Sequence, residues 1–174
     1  PATLLKNALP HDDTPVEIRF DNLNAEVTFA AGNLKCRLIE GRYPNYNSVI
    51  PTDNPCQMTI DRRALLGSVK RILPFASESS QSIRLRLGIG QVEASSEDID
   101  FATSAKETIV CDYNGTPMSI GFKGPSLVEI LSSLTSDEVL MELADPSRPC
   151  LIFPSEQPEG QNILMLIMPM PLND

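Results

Sequence analysis

Short stretches in which apolar and polar side chains alternate dominate this chain. Residues 16–20 (VEIRF), 25–29 (AEVTF) and 34–39 (LKCRLI) keep to a period close to two, that of a strand with one buried face. Asp21-Asn22 and Ala31-Gly32-Asn33 separate them with turn chemistry. The same pattern predicts strands over 57–60, 83–89, 91–95, 99–103, 108–113, 118–122, 139–143, 150–153 and 163–168. Gly88-Ile89-Gly90 reads as a hairpin turn, and Asn114-Gly115 and Glu159-Gly160 as further links. Only three stretches have helical spacing. Residues 3–9 put Leu4, Leu5, Ala8 and Leu9 on one side. Residues 62–73 carry Leu65, Leu66, Val69, Ile72 and Leu73 behind Asp61 as N-cap. Residues 125–134 start with Pro125 in the first turn, followed by Leu127, Val128, Ile130, Leu131 and Leu134.

The elements recur in order. Residues 1–44 run helix, polar turn and three strands, and residues 125–169 do the same. Leu5 and Leu9 correspond to Ile130 and Leu134, and 16–20 corresponds to 139–143, by residue class more than by identity. This predicts an α+β chain. Residues 52–174 form one whole domain of two similar helix-plus-antiparallel-sheet halves, preceded in 1–51 by half of an equivalent domain.

With 174 residues, 41% of them hydrophobic and 21% charged, the chain has the make-up of one globular domain or one and a fraction. Its longest apolar run, 163–170, is far short of the roughly 20 residues a membrane helix needs, so no membrane partner is expected. No charged-then-apolar leader opens the chain, and Pro1 in place of Met points to a processed or cut piece. Cys36, Cys56, Cys111 and Cys150 lie apart, each in or beside an apolar stretch, as reduced core thiols of a cytoplasmic protein would. The net charge of −9 argues against coating nucleic acid by bulk attraction. Only a local basic face reverses that.

Catalytic chemistry is missing. His11 is the only histidine and sits in His-Asp-Asp, a solvated turn. One His with scattered Cys makes no zinc set and gives no Ser or Cys a base. Neither G-x-x-x-x-G-K-[ST] nor G-x-G-x-x-G occurs, and the pairs Asp12-Asp13 and Glu97-Asp98 fall in turns. No enzyme, cofactor or metal is expected.

The most specific residues are Glu40-Gly41-Arg42-Tyr43-Pro44-Asn45-Tyr46 with Val49-Ile50-Pro51, and Met168-Pro169-Met170-Pro171-Leu172 near the end. With the half-domain repeat, they resemble the bacterial replicative sliding clamp, the beta subunit of DNA polymerase III. In that family a G-R-[FY]-P-x-Y stretch closes the middle domain and an M-P-M-x-L tail closes the last. The resemblance covers essentially the whole chain and implies its C-terminal half: the end of the clamp's middle domain and all of its last domain. It implies the DNA-clamp fold and a processivity factor that encircles duplex DNA without reading its sequence. Its partners would be the polymerase alpha subunit, the clamp loader and other proteins with a clamp-binding motif. A full-length subunit would form a homodimeric ring; a piece lacking the first domain would not. Family members commonly end at the residue matching Leu172, whereas this chain continues with Asn173-Asp174. The alternative reading is a standalone peptide-binding assembly domain with no DNA role.

Two surfaces follow. With Arg62 set at 0° and about 100° per residue, the apolar side chains of 62–73 occupy an arc from about 280° to 40°. Arg63, Gly67, Lys70 and Arg71 fall between about 80° and 180°. Cations concentrated on one helix of an acidic chain suit a face aimed at phosphates. In the clamp family this helix lines the central hole, so Arg63, Lys70 and Arg71 are DNA-facing candidates and Lys6 a weaker one. Arg62, on the apolar arc, is also weaker. At the tail, Pro169 and Pro171 cannot donate to a ladder, so strand pairing stops there. Met168, Met170 and Leu172 then share an uncovered apolar face suited to several partners. The resemblance adds a peptide cleft of Pro44, Ser48, Val49, Met168, Pro169, Met170, Pro171 and Leu172, with Lys123, Ser126 and Pro149 at blurred register. Ser48 stands where some members carry a long basic residue. The resemblance also aligns Pro74 and Phe75 with the apolar side of the subunit interface.

Overall fold

The structure, a computed structural model, describes residues 2–9 and 12–172. The His11 turn and the Asn173-Asp174 extension lie outside the described residues. The chain divides into two compact units, Pro1–Asn45 and Tyr46–Asp174.

The first unit holds helix α1 (Ala2–Ala8) and an antiparallel meander, β1 (Glu17–Phe20), β2 (Asn24–Phe29) and β3 (Gly32–Arg37). Phe20 pairs with Ala25 across a turn in which the Asp21 carboxylate accepts the N–H groups of Leu23 and Asn24, both at 2.7 Å. This unit has almost no core. Among its described residues Val27 alone is buried, while Phe20 is 78% exposed.

The second unit reads as two copies of strand, helix and three strands. The first is β4 (Cys56–Asp61), α2 (Arg62–Ile72), β5 (Ser82–Gly88), β6 (Gln91–Asp98) and β7 (Thr103–Tyr113). The second is β8 (Met118–Lys123), α3 (Gly124–Ser133), β9 (Glu138–Leu143), β10 (Cys150–Pro154) and β11 (Met165–Ile167). All pairings are antiparallel, in the order β11-β10-β9-β4-β7-β6-β5-β8. The halves exchange their leading strands: β4 pairs with β9 of the second, and β8 with β5 of the first. Strand β7 joins them, pairing with β6 over 103–110 and with β4 over its last three residues.

Helices α2 and α3 pack against each other. Their apolar sides, Leu65, Val69, Ile72, Leu127 and Leu131, share one core with the inward residues of the sheet, among them Met58, Ile60, Leu85, Phe122 and Met141. Burial of each such side chain contributes about 1.5–3 kcal/mol. Asp61 caps α2, its carboxylate accepting the Ala64 N–H at 2.7 Å. The sequence also places Arg62 on the inner arc, and the structure shows what it does there. It is 9% exposed; Nε donates to the Ser136 carbonyl at 2.6 Å and Nη1 to that of Leu131 at 3.1 Å. A cation thus satisfies carbonyls at and just beyond the C-terminus of α3, where the helix dipole favours positive charge. Cys111 and Cys150 are buried thiols, while Cys36 and Cys56 are only half-buried. Burial, with a smaller contribution from Cys56, pushes the Tyr113 hydroxyl up to about 12.

Two strand expectations need correction. Residues 99–102 are a turn, and β7 starts at Thr103. Asp98 accepts the N–H groups of Asp100 and Phe101, and Ala102 takes a left-handed φ of 51°, so the alternation of Ile99 and Phe101 has no ladder to join. The last strand is β11, Met165–Ile167, rather than 163–168. The Gln157 side-chain amide takes both backbone groups of Ile163, at 2.9 and 2.8 Å, in place of a neighbouring strand. No helix among the described residues is long and apolar enough to cross a membrane.

Candidate functional site

On α2 the structure separates the two arcs as the wheel does. Arg63, Lys70 and Arg71 are exposed on the side away from Leu65, Val69 and Ile72. Two of the three cations meet carboxylates. Arg63 lies 3.6 Å from Asp137 with both side chains mostly in solvent, a pair worth little. Arg71 is held by a two-pronged pair with Glu107 of β7: Nε to Oε1 and Nη2 to Oε2, each 2.6 Å. The Arg71 hydrogen bond holds the Glu107 carboxyl below its usual range, and Glu107 in turn raises Arg71. Lys70 is exposed and makes no ion pair among the described residues. Lys6, exposed on α1, belongs to the first unit.

Past β11 the tail reaches β8, the strand at the other edge of the sheet. Strand pairing does not stop at Pro169, because Met170 between the two prolines keeps its N–H. That group donates to the Gly121 carbonyl of β8 at 2.8 Å, an isolated antiparallel bridge between the tail beyond β11 and the outer strand β8. Leu172 lies over Gly121, where an added Cβ would come within 2.7 Å of its Cδ2 and 2.9 Å of the Met170 carbonyl. Met168 is 55% exposed, Pro171 is exposed, and Pro169, Met170 and Leu172 are half-buried.

The other cleft candidates sit on several elements. Lys123, exposed, ends β8, and half-buried Ser126 stands in the first turn of α3. Cys150 pairs with Ile167, so the register sets Pro149 opposite Met168. The Pro149 carbonyl accepts a hydrogen bond from Asn54 Nδ2 at 3.0 Å, and the Asp53–Arg148 ion pair lies beside it. Ser48 and Val49 are exposed in and after a 3-10 turn, Tyr46–Ser48. Pro44 is exposed in the first unit. Sequence reasoning missed Gly121, although a glycine within a strand pattern signals close backbone approach. It also missed Glu107 and Asp137, which meet the arginines only through the fold.

Pro74, exposed, and Phe75, 40% exposed, occupy a 3-10 turn (Leu73–Phe75) after α2. Pro74 also helps line a cleft of about 340 Å³ with Leu73, Ala76 and Val128. The turn packs beside β6 and β7, and among the described residues no strand pairs with the outer edge of β7 over 103–110.

A family model described as DNA polymerase III beta subunit, C-terminal domain, matches residues 47–171. The chain belongs to the DNA polymerase III beta subunit family. Among the relatives of this clamp-family chain, the beta sliding clamp of Caulobacter vibrioides (strain NA1000 / CB15N) is 28% identical over 152 residues, 87% of this chain and 39% of the relative. That of Haemophilus influenzae is 27% identical over 168 residues, 97% of this chain and 45% of the relative. The chain thus spans less than half the length of these curated relatives and corresponds to the C-terminal portion of a beta clamp. A crystal structure of the C. crescentus beta sliding clamp superposes with a TM-score of 0.83 at 25% identity, covering 98% of this chain and 44% of that one. The Pseudomonas aeruginosa DNA polymerase III subunit beta gives 0.85 at 24% identity, covering 97% and 45%, a likeness of fold. The antiparallel α+β architecture is that of a sliding-clamp domain.

Proposed function

We propose that this chain is part of a sliding clamp: a processivity factor that encircles duplex DNA and tethers the replicative polymerase, the clamp loader and other replication and repair proteins. Its action is topological and non-catalytic, in the cytoplasm. The observation that carries the reading is the pair of unlike surfaces on one unit with a shared apolar core. One face of α2 presents Arg63, Lys70 and Arg71 in a chain of net charge −9. Beyond β11 the tail leaves Met168, Met170 and Leu172 partly open. The first suits loose, sequence-blind contact with phosphates, the second an apolar peptide anchor. A standalone assembly domain with no DNA role is not favoured by the relatives.

We assign residues 1–51 to the end of the clamp's middle domain and 52–174 to its last domain. The near-absence of a core in the first unit supports this, since half a domain leaves its apolar face uncovered. The peptide cleft is built from Met168, Pro169, Met170, Pro171 and Leu172, with Ser48, Val49, Lys123, Ser126 and Pro149. Pro74 and Phe75, together with the unpaired β7 edge, form the subunit interface of the full-length ring, because another chain readily completes such an edge. The 174-residue chain alone is not expected to close a ring; a closed-ring mass by sedimentation at micromolar concentration contradicts this.

A short peptide carrying a Gln followed by Leu and an aromatic tests the cleft. Burying one apolar anchor contributes about 1.5–3 kcal/mol before entropy losses. Met170→Ala is therefore expected to weaken the peptide by about tenfold in a variant shown separately to be folded. Unchanged affinity in that variant removes the tail from the cleft.

A further inference from the structure

We propose that Glu107 sets the grip of the basic helix face by holding Arg71 in the place of a phosphate, leaving Lys70 as the cation offered to duplex DNA at that end of α2. The proposal rests on the DNA-facing reading of α2.

Glu107 has the parity of Ile109, Cys111 and Tyr113, all buried, so it projects from the core side of β7. It emerges at the margin of the helix layer, where it meets Arg71 through two parallel N–H···O bonds of 2.6 Å. A guanidinium fork binds a carboxylate and a phosphate with the same planar geometry, so one occupant excludes the other. Gly67, one turn earlier, gives the fork room: a Cβ there would stand 3.1 Å from Arg71 Nη1. Glu107 is the more enclosed partner, its side chain 30% exposed against 64% for Arg71. The Arg71 hydrogen bond favours its charged form, against the burial that disfavours it. For a protein that must slide, the pair is a brake on binding. It removes one phosphate contact, and with it about 0.9 from the slope of log affinity against log salt.

The 174-residue chain, a labelled duplex and a salt series form the test. Glu107→Gln keeps the side-chain volume and an acceptor oxygen while removing the charge, and because Arg71 is mostly in solvent the variant is expected to melt close to the parent. Its salt slope is expected to steepen by about 0.9, so that the affinity lost between roughly 50 and 200 mM salt grows about threefold. Adding Arg71→Gln to Glu107→Gln is expected to erase the gain. An unchanged slope in Glu107→Gln overturns the proposal. So does a loss in Arg71→Gln alone as large as that in Lys70→Gln, since Arg71 would then already be on the DNA. Absence of duplex binding by every variant at the lowest salt overturns instead the DNA-facing reading on which the proposal stands.

Discussion

Arg62→Leu, which removes a buried cation, is expected to lower unfolding stability by roughly 2–5 kcal/mol. The side chain is not on the DNA-facing arc but inside, between the start of α2 and the end of α3. Its loss leaves the Ser136 and Leu131 carbonyls without their donors, and each orphaned group costs about 1–3 kcal/mol. The C-terminal dipole of α3 loses its cation as well. At about 2–4 °C per kcal/mol for a chain of this size, the melting temperature should fall by roughly 4–20 °C. Arg62→Lys is expected to recover only part, since an ammonium lacks the fork that spans two carbonyls. The measurement is a denaturant midpoint at unchanged m-value. A shift below about 1 kcal/mol means the clamp between the helices is not holding them.

Gly121→Val is expected to free the tail and reduce peptide affinity by more than tenfold. The new Cβ would meet Leu172 Cδ2 at 2.7 Å, which a flexible side chain can yield, and the Met170 carbonyl at 2.9 Å, which it cannot without moving backbone. The Met170–Gly121 bridge at 2.8 Å then lengthens or breaks. Overpacking of this kind typically costs 1–3 kcal/mol, so the rest of the domain is expected to remain folded. Calorimetric titration of the same Gln-Leu-aromatic peptide against a folded variant decides it. Wild-type affinity there would mean that the tail's position over β8 has no bearing on the cleft.

The second unit was legible because most of its strands are half-buried. Strand β5, for instance, alternates outward Arg84 and Arg86 with buried Ile83, Leu85 and Leu87, and period two follows directly. Residues 99–102 broke the rule because periodicity cannot see the Asp98 carboxylate gathering the turn. At 163–164 a side-chain amide replaces a strand, which no pattern of apolar residues announces. The basic stripe on α2 was legible from helical geometry alone. Its ion pairs were not: Glu107 is 36 positions from Arg71 and arrives through the β6–β7 hairpin. At the tail, the prolines were read correctly as unable to donate. What one sequence leaves open is where the intervening Met170 N–H finds its acceptor, since Gly121 comes beside it only after the sheet has nearly closed.

The exchange of leading strands between the two halves governs how this unit can fold. Gln57 on β4 and Glu142 on β9, neighbours in the sheet, lie 85 positions apart in the chain. Neither half owns a complete sheet, so the long loop between them must close before either gains its full burial. Such a high contact order belongs with folding in milliseconds to seconds rather than microseconds. It also makes the unit indivisible. A cut between β7 and β8 yields two pieces each offering an unfilled strand position to the other, and hydrogen exchange should therefore find both helices opening together as one cooperative block.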